Sequence, residues 1–388
     1  MAKNEKKMIT KTDWLSNFTL IGAAKINDYT YKIDEKSEKS SWIYNNMNLG
    51  IDCGEKYGTV YCEMMGGYSS EKSNVIYAHG KKDDGSDDFS AQVTVDWEDR
   101  FDDNILESIG ELSFITVGLE KTDKDKTYYK KFLSAYDAIA YINEHLEDGM
   151  VVNVKGNLRY SMYQDKVQVR KNITSVVLSK AEDASKYSAK FTQTILIDKA
   201  SASLKNIDKN KGVMYIDAKV LDYLKEYNGK EVKGQFPYNK QFEFPMDFAN
   251  EAQCKKVMDK VFKVKKGITQ ITFEGDFIEG GAVVTATWDD VPDAIKELVD
   301  CGLYTEEEAL ARCSSNGNRE QRMVLRKPFV RLVGEEKTPV LQKFEEKYTE
   351  DDLILDYLND GDSSDNESDI DDMDSANADV GMDWLNDL

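Results

Sequence analysis

Negative charge in this chain is segregated. From Glu350 onward, 39 residues carry fifteen acidic side chains and no basic one, and the stretch closes on the apolar cluster Met382, Trp384, Leu385 and Leu388. A segment of that composition buries too little apolar surface to fold alone. It holds −15 of the formal charge of −21, which leaves −6 for residues 1–349. The acidic balance of the whole chain therefore misdescribes its body, which is close to neutral.

At 388 residues the chain has room for two folded domains and this tail. No apolar run approaches the ~18–20 residues needed to cross a bilayer, and Met1 to Lys7 lead into no signal-type stretch, so a cytoplasmic protein is expected. The cysteines, Cys53, Cys62, Cys254, Cys301 and Cys313, are irregularly spaced without a Cys-x-x-Cys pair, and the only histidines are His79 and His145. A zinc site or disulfide framework is not expected, and each thiol reads as a small buried hydrophobe. His145 falls on a predicted helix and His79 in a polar loop spanning residues 79–88.

Two stretches share an order of elements. In the first, Phe132, Leu133, Tyr136, Ile139, Ala140, Asn143 and Leu146 recur at helical spacing, Gly149 stops the helix, and alternating residues 150–163 and 166–178 form a hairpin about Gln164 and Asp165. In the second, a helix over 251–262 runs to Gly267, followed by a strand over 268–277, a Glu279-Gly280-Gly281 turn and a strand over 282–288. Gly149 and Gly156 correspond to Gly267 and Gly275. Strands precede each helix: 18–24, 41–51, 59–65, 91–95 and 112–119 in the first half, and 191–197, 213–221 and 230–236 in the second. Strands, one helix, then a closing hairpin describe a small barrel of oligonucleotide-binding type.

The fold class expected is mainly β with α additions (α+β): two tandem OB-fold-like barrels plus a disordered acidic tail. The boundaries read as 1–180 for an elaborated first barrel, 181–190 for a linker and 191–335 for a second barrel with a helical insertion at 290–313. Residues 336–388 are the tail. Within the insertion, Thr305 and Glu308 match a capping box.

No phosphate-binding loop, metalloprotease helix or nucleophile elbow is present, and no catalytic residue, metal or cofactor is assigned. Adjacent carboxylates such as Asp102-Asp103 follow from the abundance of acids. What the chain does interleave on strands is aromatic and basic residues, the composition that unpaired bases and phosphates demand. The candidate contacts are Trp42, Tyr44, Lys155, Arg159, Tyr160, Tyr163, Lys166, Arg170 and Lys171 in the first half, and Tyr238, Lys240, Arg322 and Arg326 in the second. The alternation lets Val167 and Val169 fill the barrel while Lys166, Gln168 and Arg170 face outward. Strand aromatics more often pack into a core, and outer cations are often only solvated, so each candidate competes with a structural reading.

In the tail, Asp383, Trp384, Leu385, Asp387 and Leu388 form an apolar plug flanked by carboxylates, suited to docking on a partner's basic pocket. Residues 349–358 read as a second, amphipathic docking helix capped by Thr349. On the barrels and this ending, the chain resembles single-stranded DNA-binding proteins, and more closely their larger bacteriophage versions with tandem barrels. That resemblance implies coating of single-stranded DNA, or RNA, without strong sequence preference, and recruitment of replication, recombination and repair proteins through the tail. The tip lacks the proline and final phenylalanine usual in that family. A protein-interaction scaffold whose barrels bind protein is the competing expectation.

Overall fold

Period-two alternation builds each strand of the first ring. In β1 (Ser16–Lys25) the residues Phe18, Leu20 and Ala24 are buried on one face. After β2 (Tyr31–Lys36) come β3 (Trp42–Asp52), with Met47, Leu49 and Ile51 buried, and β4 (Thr59–Ser69), with Val60, Cys62 and Met64 buried. The chain continues through β5 (Val75–Lys81), β6 (Asp87–Asp96), α1 (Asp103–Ser108), β7 (Ile115–Lys121) and β8 (Thr127–Phe132). It then enters α2 (Ala135–His145), β9 (Val151–Tyr163) and β10 (Lys166–Leu178). In this computed structural model the described residues are 9–353 except 165, 182, 228–229, 280–287, 289–290, 292, 302–304, 307–308, 310–320 and 335.

Hydrogen-bond register closes five of these strands into a barrel. β1 pairs β3, β3 pairs β4, β4 meets β10 in parallel at Glu63 and Asn172, β10 pairs β9, and β9 returns to β1. Between the third and fourth ring strands lies α2, capped by the Ser134 hydroxyl, which accepts the Tyr136 N–H. Its Ile139 and Ile142 are fully buried in the core. Gly149, at φ +80, turns the chain into β9. The β5–β6 hairpin forms its own two-stranded sheet, and β7 extends the main sheet by pairing β10.

The second ring repeats the plan with β11 (Ser188–Ile197), β12 (Ala202–Asp208), β13 (Val213–Tyr227) and β14 (Lys230–Pro245). Then come α3 (Glu251–Val257), β15 (Ile268–Glu279), α4 (Asp293–Asp300) and β16 (Gln321–Pro328). β11 pairs β13, β13 pairs β14, β14 meets β16 in parallel at Glu243 and Val324, β16 pairs β15, and β15 returns to β11. A π-helical turn, Met258–Phe262, extends α3 and drops Phe262 onto Phe273, with ring centroids 5.7 Å apart. The last strands are β17 (Val330–Val333), β18 (Thr338–Leu341) and β19 (Lys343–Tyr348).

The rings are joined edge to edge through β1 and β11, whose antiparallel register sets Phe18 opposite Phe191. Ser16 pairs Gln193 and Leu20 pairs Ala189, so the junction maps onto itself under a pseudo-two-fold axis through the two phenylalanines. On their other sides Phe18 pairs Gly156 and Phe191 pairs Gly275. Each ring lies over its glycine, where a β-carbon would fall 2.7 Å from the Phe18 ring and 2.2 Å from the Phe191 ring. An aromatic side chain covering a strand glycine replaces the packing that the glycine lacks.

Several sequence expectations change. His79 is not in a polar loop but on β5, its ring nitrogens 2.7 Å from Asp87 and 2.9 Å from Ser113. The strand expected from residue 112 begins at Ile115, because Glu111–Ser113 form a 3-10 turn. Residues 336–348 are not tail: β19 pairs β15 through Gln270–Phe344 and Ile271–Lys343. Thr349 caps a 3-10 turn, Asp351–Leu353, and Leu353 is buried against Ile268 and Tyr348, so this end of the expected docking helix is fixed to the body. The strand expected over 282–288 and the Thr305–Glu308 capping box lie largely, and the tail from residue 354 wholly, outside the described residues.

Gly156→Val and Gly275→Val place a branched side chain against a backbone carbonyl, from Asn172 and Val324 respectively, as well as against a phenylalanine ring. Each is expected to lower the unfolding free energy by about 3 kcal/mol, read from the midpoint of urea denaturation; wild-type midpoints for both would refute the packing described.

Candidate nucleic-acid interface

The β9–β10 hairpin sorts its side chains by face. Leu158 and Tyr160 point inward and are buried, whereas Lys155, Asn157 and Arg159 are exposed. Cross-strand register sets Tyr163 opposite Lys166, Ser161 opposite Gln168, Arg159 opposite Arg170 and Asn157 opposite Asn172. The outward face is therefore a polar ladder with one exposed tyrosine at its tip.

Two guanidiniums directly opposite each other repel. Here each has a carboxylate: Arg159 Nη1 lies 3.1 Å from Asp222 Oδ1 on β13, and Arg170 Nε lies 3.8 Å from Glu63 Oε1 on β4. Asp222 is buried and also accepts the Tyr160 N–H at 2.7 Å and the Lys11 ammonium at 3.4 Å. Burial pushes the Glu63 carboxyl above its ordinary value, against the pull of Arg170 and Lys171. Lys155, Arg159, Lys166 and Arg170 of the hairpin, with Lys11 beside it, outnumber Asp222, Glu63 and, in sequence between the two strands, Asp165, so this face carries net positive charge. Asp222 and Glu63, which hold the ladder, escaped the sequence reading because their strand neighbours belong to other parts of the chain.

Three predicted contacts are walled inside the fold. Tyr160 is 4% exposed, its hydroxyl 3.0 Å from Gln193 Oε1 and its ring beside Tyr238. Tyr238 is 1% exposed on the core face of β14, which it shares with Phe242 and Phe244. Lys171 falls on the same face as the core residue Ile173, and its ammonium pairs at 2.5 Å with Glu279 of the second barrel. None of the three can stack on a base or reach a phosphate. Lys240 also lies on the inner alternation of β14; burial lowers its ammonium pKa, helped by the charge of Lys171.

The remaining candidates are dispersed. Trp42 and Tyr44 pair Ser69 and Gly67 at the far end of β4 from the hairpin tip. Measured from the Glu63–Asn172 bridge, Ser69 lies six residues forward on β4 and Lys166 six back on β10, about 40 Å of strand in all. The Trp42 indole N–H is buried without a partner, and the Tyr44 hydroxyl is pushed up by burial and by Glu35. In the second barrel Arg322 Nε lies 2.9 Å from Glu243, and Arg326 Nε lies 2.7 Å from Asp276. Arg322–Glu243 repeats Arg170–Glu63: both arginines stand two residues before the parallel bridge made by the glutamate. Among the described residues no group of His, Cys, Asp or Glu is arranged to hold a metal, and no helix is long and apolar enough to cross a membrane.

Two closed rings with a helix between the third and fourth strands define a tandem-barrel protein of oligonucleotide-binding fold. The chain belongs to the YorF family, whose model matches residues 70–273, more than half its length. No curated protein matches the sequence. Among solved structures, the wild-type single-stranded DNA binding protein from Thermus aquaticus aligns at 9% identity with a TM-score of 0.31, covering 69% of this chain and 87% of that chain. A deletion mutant of the same protein aligns at 9% identity with a TM-score of 0.29 and the same coverage.

The Lys171–Glu279 pair generates a contrast. Removing one partner strands a buried charge, so Lys171→Met alone should cost about 3–5 kcal/mol, while Lys171→Met with Glu279→Met should cost little or nothing. Equal losses in urea denaturation for the single and double variants would contradict the pairing.

Proposed function

We propose that this protein binds single-stranded nucleic acid, DNA in the first instance, along the outward face of β9–β10, without strong preference for sequence. The observation that carries the reading is the ladder itself. Arg159 and Arg170 are held side by side by carboxylates from two other strands, and Tyr163 and Lys166 face each other at an exposed tip. Keeping like charges opposite one another costs stability, and a phosphate backbone bound across them would remove that repulsion. An exposed tyrosine supplies a stacking surface that any base can use. Lys155 extends the cationic track toward the barrel, and Arg322 and Arg326 would serve a strand continuing across the second barrel.

The tail from residue 354 would recruit replication or recombination proteins through Asp383, Trp384, Leu385, Asp387 and Leu388. No cofactor and no catalytic step enter this reading. The scaffold reading differs in one respect: it requires that the ladder be indifferent to nucleic acid.

Binding of the full chain to oligo-dT, followed by tyrosine and tryptophan quenching over a salt series, tests the proposal. Arg159→Ala, Arg170→Ala and Lys166→Ala should each flatten the dependence of log affinity on log salt by about 0.7. Tyr163→Ala should cost about 1–3 kcal/mol at every salt concentration, whereas Trp42→Phe should leave affinity unchanged. Absence of low-salt binding by the wild-type chain would remove the proposal and leave the scaffold.

A further inference from the structure

β17 and β18 leave the second barrel as a two-stranded ribbon that pairs with no other strand among the described residues. Its register sets Val330 opposite Leu341 and Leu332 opposite Pro339. All four share one face and are exposed, Leu332 by 60%. A two-stranded ribbon is marginally stable alone, and an uncovered apolar face on one invites association. We propose that this face is the docking site for residues 382–388 of the same molecule, with Trp384, Leu385 and Leu388 laid on Val330, Leu332 and Leu341.

Reach favours this occupant. The described chain leaves the body at Leu353, packed beside Ile268 at the start of β15. The ribbon departs at Thr272 of the same strand, whose N–H donates to Gln342 and whose carbonyl accepts from Phe329. Four residues separate these points, about 13 Å of strand. Twenty-eight residues lie between Leu353 and Met382, and a random-coil chain of that length spans about 30 Å on average.

Charge does not oppose it. Residues 321–348, which carry the ribbon, hold seven basic and four acidic side chains, in a chain whose total is −21. Residues 354–388 hold twelve acidic and no basic ones. Lys327, Arg331 and Lys347 pair with acids elsewhere in the body. The ribbon itself, residues 329–342, balances Arg331 and Lys337 against Glu335 and Glu336, so it does not repel the acidic linker, and the apolar tip finds the apolar face there. Docking there would shield the tip from partner proteins until one outcompeted the ribbon. The inference concerns the tail alone and stands or falls separately from nucleic-acid binding.

Photo-crosslinking of the full chain tests it, with Leu385→p-benzoylphenylalanine placed in an equal mixture of isotopically light and heavy molecules. Crosslinks are expected between the tail peptide and residues 329–342, within one isotopic species. Leu332→Asp with Leu341→Asp should cut their yield about tenfold while leaving the thermal melt unchanged. Should that variant misfold, Trp384→Asp with Leu388→Asp must give the same loss. Crosslinks to other regions, a yield indifferent to both variants, or light–heavy products showing that a second copy covers the ribbon would each overturn the proposal.

Discussion

Every other contact between the two barrels depends on one backbone pairing, β1 against β11. It is antiparallel and self-complementary, and it centres on Phe18 and Phe191. Because each phenylalanine also covers a glycine of the strand on its far side, the same two side chains seat the fourth strand of each barrel. Core packing and barrel docking are therefore one interaction rather than two. The buried apolar cluster accordingly runs unbroken from Leu20 and Met47 through Phe18 and Phe191 to Ile216 and Phe273.

Around that axis the barrels exchange contacts reciprocally. The end of β9 leans on β13 of the second barrel, where Asp222 takes the Tyr160 N–H and the Arg159 guanidinium. The end of β15 leans on the β3–β4 turn of the first, where the Glu279 N–H donates to the Tyr57 carbonyl at 2.9 Å. Buried charge at these crossings is matched by charge, as a low-dielectric setting requires. The outward ladder is a by-product of that geometry: once Tyr160 and Lys171 are turned inward, alternation obliges Arg159 and Arg170 to turn out.

How much of this could be read from the chain depends on whether the signal was local. The repeat was legible because its parts are short-range: helical spacing ahead of Gly149, alternation through 150–163, and glycines at 156 and 275. The reason for those glycines was not, since the rings above them come from strands more than eighty residues away. The same limit explains the site. Val167 and Val169 gave the inward face of β10 correctly, and alternation alone sets Tyr160 and Tyr163, three residues apart, on opposite faces of β9; what the chain did not show is that Gln193 and Tyr238 cover the face that Tyr160 takes. Lys171 looks like one more strand cation until Glu279 is brought to it. In β14 the alternation of Phe236, Tyr238, Lys240, Phe242 and Phe244 was visible, yet which face met the core depended on β13.

A pair of identical subunits joined as these barrels are would look the same from either end. Two halves linked in one chain need not be alike, and these are not: the first carries its insertion between third strand and helix, and the second carries the arm formed by β17 and β18 beyond its final ring strand. The molecule consequently has a front and a back. Neighbours arranged in a row along any common track would meet unlike surfaces, so a file of them would possess direction.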